Sequence, residues 1–131
     1  MSDVGRPVCI LVVEDEVLTA AHIEAMLARL GFSNVECACD LIAAWTFLKT
    51  SHPSLAILDI NLADTLVFSL AEELQARGVP IVFSSAGVPS ELPAPWRDTP
   101  FLPKPIDRNA LAAALDALGV RPSPPQSAAM R

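Results

Sequence analysis

Leu55-Ala56-Ile57-Leu58-Asp59-Ile60-Asn61 is the stretch that decides how the rest of the chain is organised. An apolar run of this length, almost free of polar interruption, predicts a short strand covered on both faces, and its first carboxylate arrives where the strand ends. Asp59 is therefore placed at the mouth of a sheet.

Upstream, Val8-Cys9-Ile10-Leu11-Val12-Val13 has the same grammar and runs into Glu14-Asp15-Glu16. From Val17 the period changes: Ile23, Met26, Leu27 and Leu30 share one helical face, and Gly31 is the stop signal. Val35 to Cys39 is a weaker strand pattern, followed by Asp40 as an N-cap and by Leu41, Trp45 and Leu48 at helical spacing. His52-Pro53-Ser54 breaks the chain before the central strand.

Downstream, the polar connection Asn61 to Thr65 leads to Leu66, Leu70 and Leu74 on a helical face closed by Arg77-Gly78. Pro80 introduces Ile81-Val82-Phe83, a strand that delivers Ser84 and Ser85 at its end. Pro89, Pro93, Pro95 and Pro100 then crowd the next segment, where each ring removes a helical hydrogen bond, so any fourth helix there is short or distorted. Phe101-Leu102 is a brief fifth strand, Pro103-Lys104-Pro105 a rigid turn, and Asp107 the N-cap of a last helix with Leu111, Ala114, Leu115 and Leu118 inward. The expected organisation is an N-terminal arm (1–7), one domain (8–119) and a Pro- and Ser-containing flexible tail (120–131).

Strands alternating with helices demand a parallel sheet, because parallel neighbours need crossover connections, and the helices then cover both faces. The fold class is α/β, a doubly wound five-stranded parallel sheet. Ligands in such open sheets bind beyond the carboxyl ends of the strands. That rule collects Glu14, Asp15, Asp59, Ser85 and Lys104 on one edge.

Composition bounds the partners. With 9 Lys+Arg against 15 Asp+Glu, a net charge of -6 disfavours non-specific binding to nucleic acid or to an anionic membrane, and favours a cationic surface or a divalent metal. At 131 residues and 52% hydrophobic content, the chain has apolar material for one real core. Cys9, Cys37 and Cys39 fit neither a disulfide framework nor a zinc site, and are expected as buried free thiols in a reducing cytosol. The apolar run at Val8 to Val13 is too short for a signal sequence or a membrane span, which points to a cytoplasmic location.

Three carboxylates converging with a backbone carbonyl are hard oxygen ligands suited to Mg²⁺. A hydroxyl from Ser85 and an ammonium from Lys104 suit the remaining oxygens of a tetrahedral anion, and Asp59 is a carboxylate able to act as nucleophile and form an acyl phosphate. Taken singly, each is ordinary: Asp59 as a strand-end turn residue, the acid triplet as a helix N-terminal cluster, Lys104 as a surface lysine.

Together these motifs resemble the response-regulator receiver domain of two-component signalling. The resemblance rests on the acidic doublet in Val13-Glu14-Asp15, the Asp of Leu58-Asp59-Ile60, the hydroxyl of Ser85-Ala86 and Lys104-Pro105, in order, and covers about Val8 to Leu118. It implies a flavodoxin-like sheet in strand order 2-1-3-4-5. It further implies that Asp59 accepts a phosphoryl group from a sensor histidine kinase or a histidine phosphotransfer protein. Asp15 and Asp59 would ligate Mg²⁺ directly, Glu14 through water, and Asn61 by its backbone carbonyl. Lys104 would contact the phosphoryl and Asp59 charges, Ser85 would move to the phosphoryl oxygen, and Phe101 holds the aromatic switch position. A downstream protein would read the state, with no nucleic-acid or membrane partner and no turnover of an outside substrate.

The sequence departs from the family where Ala63-Asp64-Thr65 lacks the usual Pro and Gly, and in the Pro-rich segment. That pattern resembles a divergent, often stand-alone receiver subgroup of alphaproteobacterial systems. Two other functions are weighed. An aspartyl-phosphate phosphohydrolase wants a second carboxylate two residues after its nucleophile, where Asn61 stands. An unphosphorylated receiver-like interaction module has no need of the full set of site residues. His22 and His52 carry no partner pattern, Trp45 fits the buried stripe of its helix, Trp96 among the prolines is either a packing residue, the preferred reading, or a partner-binding anchor, and Phe101 fits core packing as well as a switch.

Overall fold

A computed structural model describes residues 7–62, 67–87 and 92–123. Its strands are β1 (Ile10–Val13), β2 (Val35–Ala38), β3 (Leu55–Asp59), β4 (Ile81–Ser85) and β5 (Phe101–Pro103). The helices between and after them are α1 (Val17–Arg29), α2 (Leu41–Thr50), α3 (Val67–Ala76) and α4 (Arg108–Ala117). The sheet is parallel throughout, in the order β2-β1-β3-β4-β5. The predicted doubly wound architecture is thus observed.

Burial follows from that order. β1, β3 and β4 have neighbours on both sides and helices on both faces, and every residue in them is buried. Alternation splits the core in two: Leu11, Val13, Ala56, Leu58 and Phe83 face α2 and α3, while Ile10, Val12, Ile57, Val82 and Leu102 pack with α1 and α4. Each such aliphatic side chain contributes roughly 1.5–3 kcal/mol on burial.

Local signals fix the helix ends. Asp40 and Asp107 accept hydrogen bonds from the Ala43 and Ala110 N–H groups, at 2.8 and 2.9 Å, and cap α2 and α4 as predicted. α1 ends in a Schellman motif: Gly31 N–H donates to Ala28 O, and Phe32 N–H donates to Leu27 O at 2.9 Å. Gly31 sits at φ +100, where the backbone favours glycine, and a Cβ built on it would lie 3.0 Å from Pro122 Cγ, which would have to give by a few tenths of an ångström. Pro122 belongs to the segment after α4, whose Ser123 Oγ accepts the Val8 N–H at 2.8 Å.

Between β4 and β5 the described residues contain only a three-residue 3-10 turn, Ala94–Trp96, in line with the proline content. The connection Ala63-Asp64-Thr65, Leu66, Pro89, most of the N-terminal arm and the end of the tail lie outside the described residues. Trp96 is buried in the α2/α3 side of the core, whereas Trp45 is half-buried and packs against it.

The thiols correct an expectation. Cys37 and Cys39 are exposed and Cys9 is half-buried, because β2 is an edge strand that lacks a neighbour on one side. Desolvation, then the Glu24 carboxylate 3.7 Å from Sγ, and more weakly Glu36, push the Cys37 thiol up to about 11. At pH 8 only roughly one Cys37 in a thousand is then thiolate. Iodoacetamide is accordingly expected to label Cys37 slowly at pH 8, and Glu24→Gln to speed labelling several-fold. Peptide mass mapping over time checks this, and an unchanged Cys37 rate in the variant contradicts it.

Candidate functional site

The sheet's ladder continues past the strand ends and sets the site's backbone. Glu14 N–H donates to Ala38 O at 3.0 Å, Ile60 N–H to Ser84 O at 3.0 Å, and Lys104 N–H to Ser85 O at 2.9 Å. The residues after β1, β3 and β5 are thus anchored to neighbouring strands at the carboxyl edge, as the topology predicts. The Lys104-Pro105 peptide bond is cis.

Lys104 is the centre of the charge arrangement. Its Nζ lies 2.8 Å from Glu14 Oε1 and 3.0 Å from Asp59 Oδ2. Both carboxylate side chains are almost fully buried, at 1% and 3% exposure, while that of Lys104 retains 18%. The contact to Glu14 Oε1 is an ion pair without the alignment of a hydrogen bond. The second oxygens are also held: Glu14 Oε2 accepts the Glu16 N–H at 3.1 Å, and Asp59 Oδ1 accepts the Asn61 N–H at 2.8 Å.

Electrostatics follow from burial. Desolvation raises the Glu14 carboxyl above its ordinary range and the Asp59 charge adds to this, against the opposing effect of Lys104. For Lys104, burial pulls the ammonium down, but Glu14 and Asp59 together outweigh it and hold it above its usual value.

Oxygens of Glu14, Asp15 and Asp59 lie within 4.8 Å of one another, with Asp15 exposed and the other two buried. Hard oxygen donors gathered so closely suit Mg²⁺. Ser85, wholly buried, lies across the edge: its Oγ donates to Asn61 Oδ1 and accepts the Gly87 N–H at 2.9 Å. Phe101 is half-buried against the core beside Phe83, its register partner on β4. Glu14, Asp15, Asp59, Asn61, Ser85 and Lys104 therefore share one edge, with Phe101 one strand length back.

Two features escaped the sequence. The Asn61 side chain, and not only its carbonyl, takes part, since Oδ1 also accepts the Ala86 N–H at 3.3 Å. Ser84 Oγ is buried without a hydrogen-bond partner among the described residues, beside Asp59 in the register. A serine inside an apolar strand was the available signal for it. The wider surface depressions lie elsewhere, for example at the amino edge around Cys9, Asn34 and His52.

The family model for the response regulator receiver domain matches residues 10–116. The chain belongs to this family. Among curated proteins, this receiver is 27% identical over 124 residues to response regulator Rre1 of Synechocystis sp., covering 89% of this chain and 54% of that protein. The chain thus spans about half the length of that relative. Among solved structures, it is similar to the BeF3-activated conformation of SdrG from Pseudomonas melonis Fr1, with 35% identity, TM-score 0.75, and 86% and 96% of the two chains covered. The PhyR stress response regulator matches at 29% identity and TM-score 0.70, over 86% of this chain and 45% of that one. The protein is a receiver domain of two-component signalling, a family whose members are generally not true enzymes. Receiver domains bind Mg²⁺ at an acidic pocket, and the Glu14, Asp15 and Asp59 group fits that site. Among the described residues no helix is long and apolar enough to cross a membrane.

Proposed function

We propose that Asp59 is the phosphoacceptor of this receiver and that a phosphohistidine, on a sensor kinase or a histidine phosphotransfer protein, is its donor. The observation that carries the proposal is the Asp59 carboxylate, buried at the carboxyl edge, ion-paired to Lys104 and grouped with Glu14 and Asp15. In the transfer, an Asp59 oxygen attacks phosphorus. The P–O bond forms as the P–N bond breaks, and the electron pair returns to the imidazole nitrogen, which takes up a proton. Lys104 balances the charge gathering on the acyl phosphate.

Asp15 and Asp59 directly, Glu14 through water, and the Asn61 carbonyl would hold Mg²⁺, which when bound neutralises charge on the transferring group. Ser85 turns its hydroxyl toward a phosphoryl oxygen, and Phe101 follows the change at β4. The rearranged surface alters affinity for a downstream protein. Hydrolysis returns Asp59 and inorganic phosphate when water attacks phosphorus.

Incubation with Mg²⁺ and acetyl phosphate is expected to add one phosphoryl group, read by intact mass as a base-labile adduct, and Asp59→Asn is expected to remove it. No adduct with any donor, in protein shown to bind Mg²⁺, would leave an unphosphorylated interaction module. Continuous turnover of a phosphomonoester would indicate a phosphohydrolase instead.

A further inference from the structure

We infer that the Asn61 side chain is a latch that holds the Ser85 hydroxyl away from Asp59 until the phosphoryl group arrives. This rests on the phosphoacceptor reading of Asp59. Ser85 Oγ carries a single proton, and here it is donated to Asn61 Oδ1. The same Oγ accepts the Gly87 N–H at 2.9 Å, and Asn61 Oδ1 takes a further bond from the Ala86 N–H at 3.3 Å. The amide oxygen therefore pins both the switch hydroxyl and the backbone that follows it. Ser85 is fully buried while Asn61 is exposed, so the latch joins a hydroxyl shielded from water to an amide at the surface.

A hydroxyl committed to Asn61 cannot at once donate to a phosphoryl oxygen. The competent arrangement requires the latch to open, and its population is reduced by the strength of that bond.

Asn61 also senses the site it guards. Its own N–H donates to Asp59 Oδ1 at 2.8 Å, so one residue touches the phosphoacceptor through its backbone and the switch through its side chain. Phosphorylating or reorienting Asp59 weakens that backbone contact, and the movement is passed directly to the amide that holds Ser85. Asn61 thus acts as a positioning residue that couples Asp59 to Ser85, in addition to any role of its carbonyl.

The test has two arms on the full chain. In metal-free, unphosphorylated protein, amide exchange at Ala86 and Gly87 reports the latch without any chemistry. It is expected to accelerate on the order of three- to tenfold in Asn61→Ala, the worth of one net hydrogen bond, and to stay within about twofold of wild type in Asn61→Asp, which keeps an acceptor oxygen. In the second arm, phosphoryl uptake from acetyl phosphate with Mg²⁺ is expected to rise by a similar factor in Asn61→Ala, and to be unaffected by that substitution in a Ser85→Ala background. Unchanged exchange in Asn61→Ala overturns the latch, as does an equal change in uptake in both backgrounds. If wild-type protein takes up no phosphoryl group, the phosphoacceptor reading fails by itself, and the exchange arm still decides whether Asn61 holds Ser85.

Discussion

Replacing Lys104 by methionine is expected to lower stability by about 2–3 kcal/mol at pH 7 and to reduce phosphoryl uptake roughly a hundredfold or more. Methionine keeps most of the apolar stem and removes only the ammonium. Glu14 and Asp59 then face each other at 1% and 3% side-chain exposure with no cation between them. Removing one partner of a buried pair costs about 3–5 kcal/mol. The 18% exposure of the Lys104 side chain admits some screening, which places the expected loss below that range.

The pH dependence has a definite sign. Glu14 is raised by desolvation in the folded state, so its stabilising proton uptake is complete below its unfolded value and is lost as pH rises through the folded one. In wild type, Lys104 opposes that rise. Without it the Glu14 value rises further, and the stability gap between wild type and variant widens from acid toward neutral pH. The raised Lys104 contributes fully below its unfolded value of 10.5 and loses that contribution only as pH climbs through the folded value. Wild type therefore has no Lys104-linked transition near neutrality. Urea midpoints at pH 4 and pH 7 check this, and equal gaps at the two pH values would contradict it.

Much of this arrangement was legible in the sequence because it depends on strand ends. Apolar runs that stop at Glu14, at Asp59 and at the Ser84-Ser85 pair locate three strand ends without any knowledge of distance, and the parallel topology then brings them to one edge. Caps at Asp40 and Asp107 follow from short-range hydrogen bonding. What stayed hidden depends on lateral order and side-chain direction. Cys37 and Cys39 read as buried until β2 is known to be an edge. Asn61 offers both a carbonyl and an amide, and the sequence cannot choose between them, because only the position of Ser85 makes the amide useful. Trp96 lies among prolines, and whether its ring points to water or to the core is set by residues far away in sequence, Phe68 and Phe83.

That last contact carries the second large effect: Trp96→Ala is expected to destabilise the protein by about 3–5 kcal/mol. The Trp96 ring meets Phe83 edge-on with centroids 5.6 Å apart and stacks with Phe68 at 6.4 Å, while Phe68 and Phe83 are themselves 5.6 Å apart. Such pairs add to the area term beyond simple burial. The segment around Trp96 is held besides by Leu92, buried in the same core cluster, and at its end by the Phe83 N–H bond to Pro100 O at 2.9 Å. Its other described backbone bonds are short-range ones, Trp96 N–H to Pro93 O at 2.9 Å, Arg97 N–H to Ala94 O at 3.4 Å and Thr99 N–H to Trp96 O at 3.1 Å. A full helix in this position would carry its own i to i-4 ladder, so losing one inward side chain would leave the rest ordered. Here the indole and Leu92 are the inward anchors, and the same substitution should loosen the residues next to Trp96 as well as open a cavity. Denaturant unfolding is therefore expected to show the full loss for Trp96→Ala and about 1–2 kcal/mol for Trp96→Phe, which keeps an aromatic face toward Phe83. Amide exchange at Arg97 and Thr99 should accelerate in the alanine variant more than at Val82 and Phe83, which stay in the sheet. A loss below about 1 kcal/mol, or uniform exchange across these four amides, would mean that the prolines and Leu92 order the segment without the indole.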